Sequence, residues 1–204
     1  MLNRVRQWID SWSRPIQVQT SSSESKKIQW VRIIPFIILH VACLGIFYVG
    51  VSWFAVTFML LFYLIRMFSI TAFFHRYLSH KTFQTSRIVQ FVFVLIGTMS
   101  AQRGPLWWAA HHRYHHRFTD TEHDPHSSTY GFWYSHLGWF LNDYNFATRK
   151  EVVKDWLKYP ELVWLDRFSL IIVLLTAVSI YALGEWLAVV YPSLATSEIG
   201  RAHV

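Results

Sequence analysis

One run of 33 residues, between Arg32 and Arg66, contains no Asp, Glu, Lys or Arg and constrains the fold more than any other feature. As a single α-helix it would be about 50 Å long, whereas the hydrocarbon core of a bilayer is about 30 Å thick. Two antiparallel spans fit better, from about Ile28 to Tyr48 and from about Ser52 to Phe74, with Gly50 in the turn. The composition favours a membrane protein, because only 15% of the residues are charged, against about 25% in a soluble domain.

Basic residues at both ends of this run indicate how it lies in the membrane. Lys26 and Lys27 precede it, and Arg76 and Lys81 follow it. Cytoplasmic segments are enriched in Lys and Arg, so both ends are expected on the cytoplasmic side, which requires an even number of crossings. The sequence therefore predicts a helical hairpin. The net charge of +7 is attributed to orientation and lipid contact, and nucleic acid is not an expected partner.

Two further apolar runs complete the predicted fold. The first, "IVQFVFVLIGTMSAQ", has 15 residues, whereas a span needs about 20. We therefore expect a helix on the cytoplasmic face, capped by Thr85 or Ser86. The second run, from Phe168 to Tyr191, predicts a third span. Residues 75–167 are expected to form a cytoplasmic, histidine-rich domain of loops and short helices, so the predicted fold class is an all-α polytopic membrane protein.

The two ends of the chain differ in composition from the rest. Residues 1–27 are polar and basic and lack the apolar segment of a signal peptide. They predict a flexible leader with a short interfacial helix around Trp8 and Trp12. Residues 192–204 are expected to be an outer tail. Its last residues, "IGRAHV", match a translated sequencing adapter, so this end is expected to be non-native.

Histidines are concentrated in two places next to these apolar runs. His75 and His80 lie five residues apart in "HRYLSH", and six of the sixteen residues of "HHRYHHRFTDTEHDPH" are histidine. On an α-helix a spacing of five separates two side chains by about 140°, so the first pair can flank one site only if the helix ends or loosens between them. His112, His115 and His116, at i, i+3 and i+4, are expected on one helical face.

Clustered imidazoles favour a metal site, because rings without a metal would repel one another when protonated. Imidazole suits zinc, copper, iron and nickel. Three ligands satisfy a catalytic zinc, so five histidines in two clusters favour two non-haem irons that activate O₂. Cys43, the only cysteine, lies in the apolar run, so no cysteine metal site is expected. Asp120, Glu122 and Asp124 are candidate acceptors for the ring N–H groups, unless they form a solvated acidic loop.

Three segments, "HRYLSH", "HHRYHHRFTDTEHDPH" and "GFWYSHLGW", resemble the first two histidine boxes and the following loop of membrane fatty-acid desaturases. The match is best to the acyl-CoA (stearoyl-CoA type) Δ9 group in its bacterial form. The resemblance covers residues 33–191 and implies a non-haem di-iron centre in an all-helical fold with four spans. The implied iron ligands are His75, His80, His112, His115 and His116. Asp124, Pro125, His126 and His136 match recurrent family positions outside the ligand set. Asp120, Asp124, His126 and His136 are candidates to support the ligands. His40, His111 and His123 are not assigned to the metal.

The resemblance also implies a reaction and partners. O₂ and two electrons would introduce a cis double bond, at Δ9, into a fatty acyl chain, as a step of unsaturated fatty acid biosynthesis. The expected partners are the lipid bilayer, an acyl-CoA or phospholipid acyl chain, and an electron donor of the ferredoxin or cytochrome b5 type with its reductase. The active site is expected on the cytoplasmic face of a bacterial inner membrane. Trp107 and Trp108 are candidates to line the substrate tunnel, although aromatic residues here also suit a core or an interfacial belt.

Two other functions are compatible with the pattern. A related membrane di-iron hydroxylase or ketolase shares histidine boxes, although the box spacing and the run from "DPH" to "GFWYSH" favour desaturation. A histidine-ligated electron carrier or metal transporter would place histidines within facing spans, and only His40 lies at such a depth.

One part of the family pattern has no counterpart in the sequence. The family has a fourth span, a third H-x-x-H-H box and one further ligand histidine, and nothing after Tyr191 supplies them. The chain is therefore expected to correspond to the N-terminal two thirds of such an enzyme. It is also expected to lack roughly half of the iron ligands and to be inactive as it stands.

Overall fold

A computed structural model of the chain describes residues 9–13, 30–142 and 144–194. Most of the predicted leader, the first two residues of the predicted first span and the tail beyond residue 194 lie outside the described residues. The described part is helical, with no β-strand. This confirms the predicted all-α class.

The helices follow one another in a simple order along the chain. The main ones are α1 (Trp30–Cys43), α2 (Ile46–Val49), α3 (Trp53–Phe68), a π-helix (Ser69–Ser79), α4 (Arg87–Thr98), α5 (Pro105–Phe118), α6 (Pro160–Arg167) and α7 (Ser169–Val190). Shorter helical turns cover Ser11–Ser13, Ser128–Tyr130, Tyr134–Gly138, Lys150–Val152 and Pro192–Leu194.

Two helices are long and apolar enough to cross a bilayer. They are Trp53–Ser79, which combines α3 with the π-helix in 27 residues, and Ser169–Val190, which is α7. Their apolar side chains are largely exposed, with Leu64 at 59% and Val178 at 64% of full exposure. A core helix of a soluble protein would bury such residues, so this exposure is typical of helices that face lipid.

The two long helices lie antiparallel, with the start of α3 near the end of α7. Ser52, which caps α3 by accepting a hydrogen bond from the Ala55 amide at 3.1 Å, donates its hydroxyl to the Leu194 carbonyl at 3.2 Å. The third predicted span, Phe168 to Tyr191, agrees with α7 to within one residue at each end.

The first predicted span is divided in the structure. Helix α1 ends at Cys43, and α2 begins at Ile46 after a turn. Gly50 then takes φ 71°, a backbone conformation that glycine adopts without steric cost. The apolar helical stretch Phe36–Tyr48 is shorter than the two long helices. The first crossing of the hairpin therefore stays a prediction.

The short apolar run forms the helix that its length predicts. Helix α4 has 12 residues, and Ser86 caps it by accepting a hydrogen bond from the Val89 amide at 3.3 Å. The predicted helix and its cap at Ser86 are confirmed, whereas its position on the cytoplasmic face stays a prediction.

The second span extends beyond its predicted end at Phe74. The helix changes from α to π geometry at Ser69 and continues in that form to Ser79. His75 therefore lies inside a helix, and His80 is the residue that caps it.

The hydrophobic core lies around the π-helix, at one end of the first long span, rather than along α3. Phe74 and Leu78 on the π-helix are fully buried, and so are Val94 on α4, Leu106 on α5 and Leu162 on α6. This core packs α4, α5 and α6 against the π-helix. Most of the buried apolar side chains therefore lie in the part of the molecule that carries the two histidine motifs.

The described part of the leader contacts this core. Asp10 is buried and forms an ion pair with Arg167, with Nη2 and Oδ2 2.6 Å apart. Trp12 donates its indole N–H to Asp166 at 2.6 Å. Residues 10–13 are thus held at the junction of α6 and α7.

Candidate metal centre

The π-helix brings the first histidine pair together. In a π-helix the backbone bonds join residues five apart, so side chains at i and i+5 point in nearly the same direction. The His80 amide donates to the His75 carbonyl at 3.1 Å, and the two Nε2 atoms are 3.2 Å apart. The spacing of five between His75 and His80 required the helix to end or loosen between them, and the π-helix meets this requirement.

Helix α5 supplies two more histidines to the same point. The Nε2 atom of His112 is 3.0 Å from the Nε2 atom of His80 and 3.0 Å from that of His116. His75, His80, His112 and His116 each offer one ligand nitrogen, and these nitrogens all lie within 4.8 Å of one another. We call this set the four-histidine cluster.

The spacing of these nitrogens fits a metal ion. Metal–nitrogen bonds of about 2.0–2.1 Å, the range for zinc and imidazole, place neighbouring ligand nitrogens about 3 Å apart. The observed separations of 3.0 and 3.2 Å match this value. Four facing Nε2 atoms form a nitrogen-rich donor set, and imidazole nitrogen is a ligand that suits iron, zinc and copper.

The local electrostatics keep the central ring neutral. Burial, together with the neighbouring rings of His116, His75 and His80, lowers the pKa of His112 to about 3. Burial also lowers the pKa of His80, with contributions from His75 and His116. Neutral imidazole is the form that binds a metal.

His115 does not join the four-histidine cluster. Its Nδ1–H group donates to Asp124 Oδ1 at 2.9 Å, and its ring stacks on that of His126 with centroids 4.1 Å apart. His115, Asp124 and His126 form a second set of potential ligands, which we call the His115 group. A proton on Nδ1 leaves the His115 Nε2 lone pair available to a metal.

Two backbone hydrogen bonds fix the position of the Asp124 carboxylate beside the His115 ring. It also accepts hydrogen bonds from the backbone amides of Asp120, at 3.0 Å, and His126, at 3.1 Å. Burial alone would raise the pKa of Asp124, but the hydrogen bond from His115 and these two amide bonds lower it to below its usual value. The carboxylate therefore stays ionised and can orient the His115 ring.

The remaining candidate residues lie near these two groups without joining them. Asp120 supports the loop, since its carboxylate accepts the Ser128 hydroxyl at 3.1 Å. His136 bonds through Nδ1 to the Phe132 carbonyl at 3.0 Å. His111 is buried, with Nδ1 donating to the Trp107 carbonyl at 2.9 Å. Burial lowers the pKa of His111 well below its usual value, so it remains a neutral packed side chain.

An aromatic cavity of about 380 Å³ adjoins the four-histidine cluster. Trp107 and Trp108, the two tunnel candidates, both line it, together with His112 and Trp139. Trp108 stacks on the His112 ring with centroids 4.9 Å apart, and Trp107 stacks on Trp139 at 5.5 Å. An apolar ligand in this cavity would thus lie directly against a candidate metal ligand.

Asp166, which the sequence gives no reason to single out, holds the start of α5. It is fully buried and accepts hydrogen bonds from the Trp107 amide and the Thr148 hydroxyl, each at 2.7 Å. It thereby caps the helix that carries three of the candidate ligands, because the preceding residue, Gly104, has no side chain to do so. A Cβ atom on Gly104 would lie 2.2 Å from the Asp166 carboxylate, so only glycine leaves room for it.

Comparison with known proteins agrees with this architecture. The family model for fatty acid desaturases matches residues 51–199, which include both histidine groups and both long helices. The chain belongs to the fatty acid desaturase family. The family expected from the histidine motifs is thus confirmed.

Desaturases of known specificity are among its relatives. The chain is 36% identical over 176 residues to the sn-1 stearoyl-lipid 9-desaturase of Anabaena variabilis, covering 84% of this chain and 64% of that protein. It is 33% identical over 174 residues to the sn-2 palmitoyl-lipid 9-desaturase of Nostoc sp. (strain 36), covering 82% of this chain and 60% of the relative. An acyl-CoA 5-desaturase of Anemone leveillei is 35% identical over 181 residues, or 82% of this chain and 56% of the relative. The chain thus spans about three fifths of the length of these desaturases.

Proposed function

We propose that this chain carries histidine ligands of an O₂-dependent fatty acyl desaturase with two non-haem irons. The observation that carries the proposal is the four-histidine cluster, formed at the end of an apolar helix and beside an aromatic cavity. The reaction would convert a –CH₂–CH₂– unit, O₂, two electrons and two protons into a cis –CH=CH– unit and two waters. The double bond is proposed at Δ9, as the names of the two cyanobacterial relatives suggest.

The proposed ligands divide between the two irons. The four-histidine cluster supplies His75, His80, His112 and His116 to one iron. His115 supplies Nε2 to the second iron, with Asp124 orienting its ring from the other side. Asp120, His126 and His136 are proposed to support these ligands without binding iron.

The chain's own residues would hold the acyl chain next to the metal. When bound, the irons supply the oxidising power to break an unactivated C–H bond, for which no acid–base side chain suffices. Trp107 and Trp108 are proposed to line the apolar passage, in which burial favours a hydrocarbon chain and excludes water. Because Trp108 stacks on His112, the acyl chain would be fixed at a set distance from the cluster.

The substrate is proposed to be an acyl chain carried by a membrane lipid, with acyl-CoA as the other source. The names of the cyanobacterial relatives specify acyl lipids, and that of the plant relative specifies acyl-CoA. An external donor of the ferredoxin or cytochrome b5 type, with its reductase, would deliver the two electrons.

The proposed topology places both histidine groups on the cytoplasmic face of a bacterial inner membrane. The spans would run over about 28–48, 52–74 (continuing to 79 in the structure) and 168–191, with 1–27 as leader and 192–204 as outer tail. The contact between Ser52 and Leu194 supports this arrangement, because it joins the ends of two spans on the side away from the histidines.

Lipid analysis in a desaturase-deficient bacterial host tests the proposal. Since the relatives are longer, residues up to Leu194 would be continued with the corresponding C-terminal part of the Anabaena variabilis relative, and a ferredoxin system would be co-expressed. We expect cis-9 monounsaturated chains in the membrane lipids, and none when His112 is replaced by alanine. Hydroxylated chains instead, or no product from a chimera that inserts and binds iron, would contradict the proposed function.

A further inference from the structure

We infer that Arg113 is a positioning residue for the metal centre and that it acts together with Asp155. Its guanidinium holds the end of the π-helix against α5 and so fixes His80 relative to His112 and His116. The inference rests on the proposed function, because it assumes that these histidines bind a metal.

Arg113 reaches from α5 to the last residues of the π-helix. Its Nε–H donates to the Ser79 carbonyl at 3.1 Å, and its Nη2 donates to the Leu78 carbonyl. The carbonyls at the end of a helix have no partner within the helix. Arg113 satisfies two of them immediately before His80, although it lies next to His112 in the chain.

Residues 152 and 155 contact the other side of the guanidinium. Nη1 donates to the Val152 carbonyl at 3.0 Å and to Asp155 Oδ1 at 2.8 Å. Nη2 also donates to Asp155 Oδ2 at 3.1 Å. These five contacts match the five N–H donors of arginine. The Arg113 side chain is only 16% exposed, so the pair with Asp155 is not a freely solvated surface contact.

Asp155 also secures the residue that follows His80. Lys81 Nζ lies 2.9 Å from Asp155 Oδ2. Lys81 has φ 55°, a left-handed backbone conformation that is strained for a non-glycine residue. The Asp155 carboxylate therefore supports the backbone on both sides of His80. It binds Lys81, which follows His80, and it binds Arg113, which in turn holds Ser79 before His80.

The neighbouring contacts explain why this arrangement matters for the cluster. Trp156 donates its indole N–H to the Leu78 carbonyl at 2.8 Å, which adds to the hold on the backbone before His80. The His80 ring lies among other imidazoles, with its Nε2 atom 3.2 Å from that of His75 and 3.0 Å from that of His112. The position of His80 is thus set through its backbone, and Arg113 is the side chain that connects this backbone to α5.

Lysine cannot reproduce these contacts. Its ammonium group has three donors and no planar fork, so it cannot serve a bidentate carboxylate and three carbonyls together. Replacement by lysine therefore keeps the charge but releases the end of the π-helix.

Cobalt(II) binding tests the inference on the full chain in detergent or nanodiscs. Arg113→Lys, Arg113→Gln and Asp155→Asn would be compared with Arg117→Gln, a control on the exposed side of the same helix. We expect cobalt(II) to bind 10–100-fold more weakly to the first three variants, as is typical when ligand support is lost, and the visible ligand-field band to shift. The Arg117→Gln protein should bind cobalt(II) like the wild type. An unchanged affinity and spectrum in Arg113→Lys and Arg113→Gln would overturn the inference while leaving the metal site intact.

Hydrogen exchange without metal provides a second, independent readout. In Arg113→Lys we expect faster amide exchange at residues 78–82, with exchange in α7 unchanged. If the wild-type chain binds no cobalt(II), the proposed metal function fails, and exchange alone then decides whether Arg113 holds the π-helix. Unchanged exchange at residues 78–82 would overturn the inference in that case.

Discussion

His115 and His116 are adjacent in the chain but lie in different ligand groups. On an α-helix neighbouring side chains are about 100° apart. His116, four residues after His112, therefore points toward the His112 ring, whereas His115 points toward Asp124. Helical spacing alone predicted one shared face for all three histidines, whereas the structure divides them between two candidate metal positions. This division fits the proposal that residues of a single helix bind two separate irons.

Asp124 is the residue on which the His115 position depends most. Replacing it with alanine removes the acceptor for the His115 Nδ1–H group, so the ring loses its orientation and its tautomer. We expect metal to bind at His115 10–100-fold more weakly, as measured by titration with cobalt(II). Glu122→Ala is the matched control, because that carboxylate is 84% exposed and lies 3.7 Å from the His123 ring. Equal affinity in the Asp124→Ala and wild-type proteins would contradict the proposed role.

At the level of helices, the π-helix is the feature that creates the four-histidine cluster. The spacing of His75 and His80 indicated that the helix must loosen, but a sequence does not show where an extra residue per turn will be accommodated. The structure places it where Phe74 and Leu78 pack into the core and Arg113 holds the final carbonyls. These are contacts between residues distant in the chain, which local patterns do not encode. By contrast, α4, its Ser86 cap and α7 follow from apolar run length and capping chemistry, and were predictable.

Gly97 allows α4 to approach the π-helix closely. A Cβ atom at this position would lie 2.6 Å from the Phe74 ring, next to His75. We expect Gly97→Ala to displace Phe74 and to destabilise the fold by about 1–3 kcal/mol, the usual cost of overpacking a core.

Thermal unfolding in detergent, followed by circular dichroism, measures this effect. Gly184→Ala in α7 is the control, because an added Cβ there meets nothing within 4 Å. A Gly97→Ala protein as stable as the control would show that the π-helix does not depend on this close contact.

In the molecule as a whole, the buried core and the exposed apolar side chains lie in different regions. The long helices expose apolar side chains such as Leu64 and Val178, while the buried core surrounds the histidines at one end. A soluble protein would concentrate its core within its longest helices. The separation suits a protein whose spans face lipid and whose metal centre lies at the membrane surface.

Site-directed labelling tests the proposed topology at this scale. Single cysteines at Val51 and Gln84, both exposed, would be introduced in a Cys43→Ser background, since Cys43 is also exposed. A membrane-impermeant thiol reagent added to intact cells should label Val51→Cys, and Gln84→Cys only after the membrane is opened. Labelling of both positions from the same side would contradict the crossing of α3 and the π-helix.

The central claim is that histidines of the four-histidine cluster bind iron. The iron K-edge X-ray absorption spectrum of the iron-loaded protein tests it most directly, because imidazole rings give a characteristic outer-shell scattering pattern. We predict nitrogen-dominated ligation with strong imidazole scattering, which decreases in His112→Ala and in His116→Ala but not in His123→Ala. Iron bound only by oxygen ligands, with a spectrum unchanged in all three variants, would contradict the account.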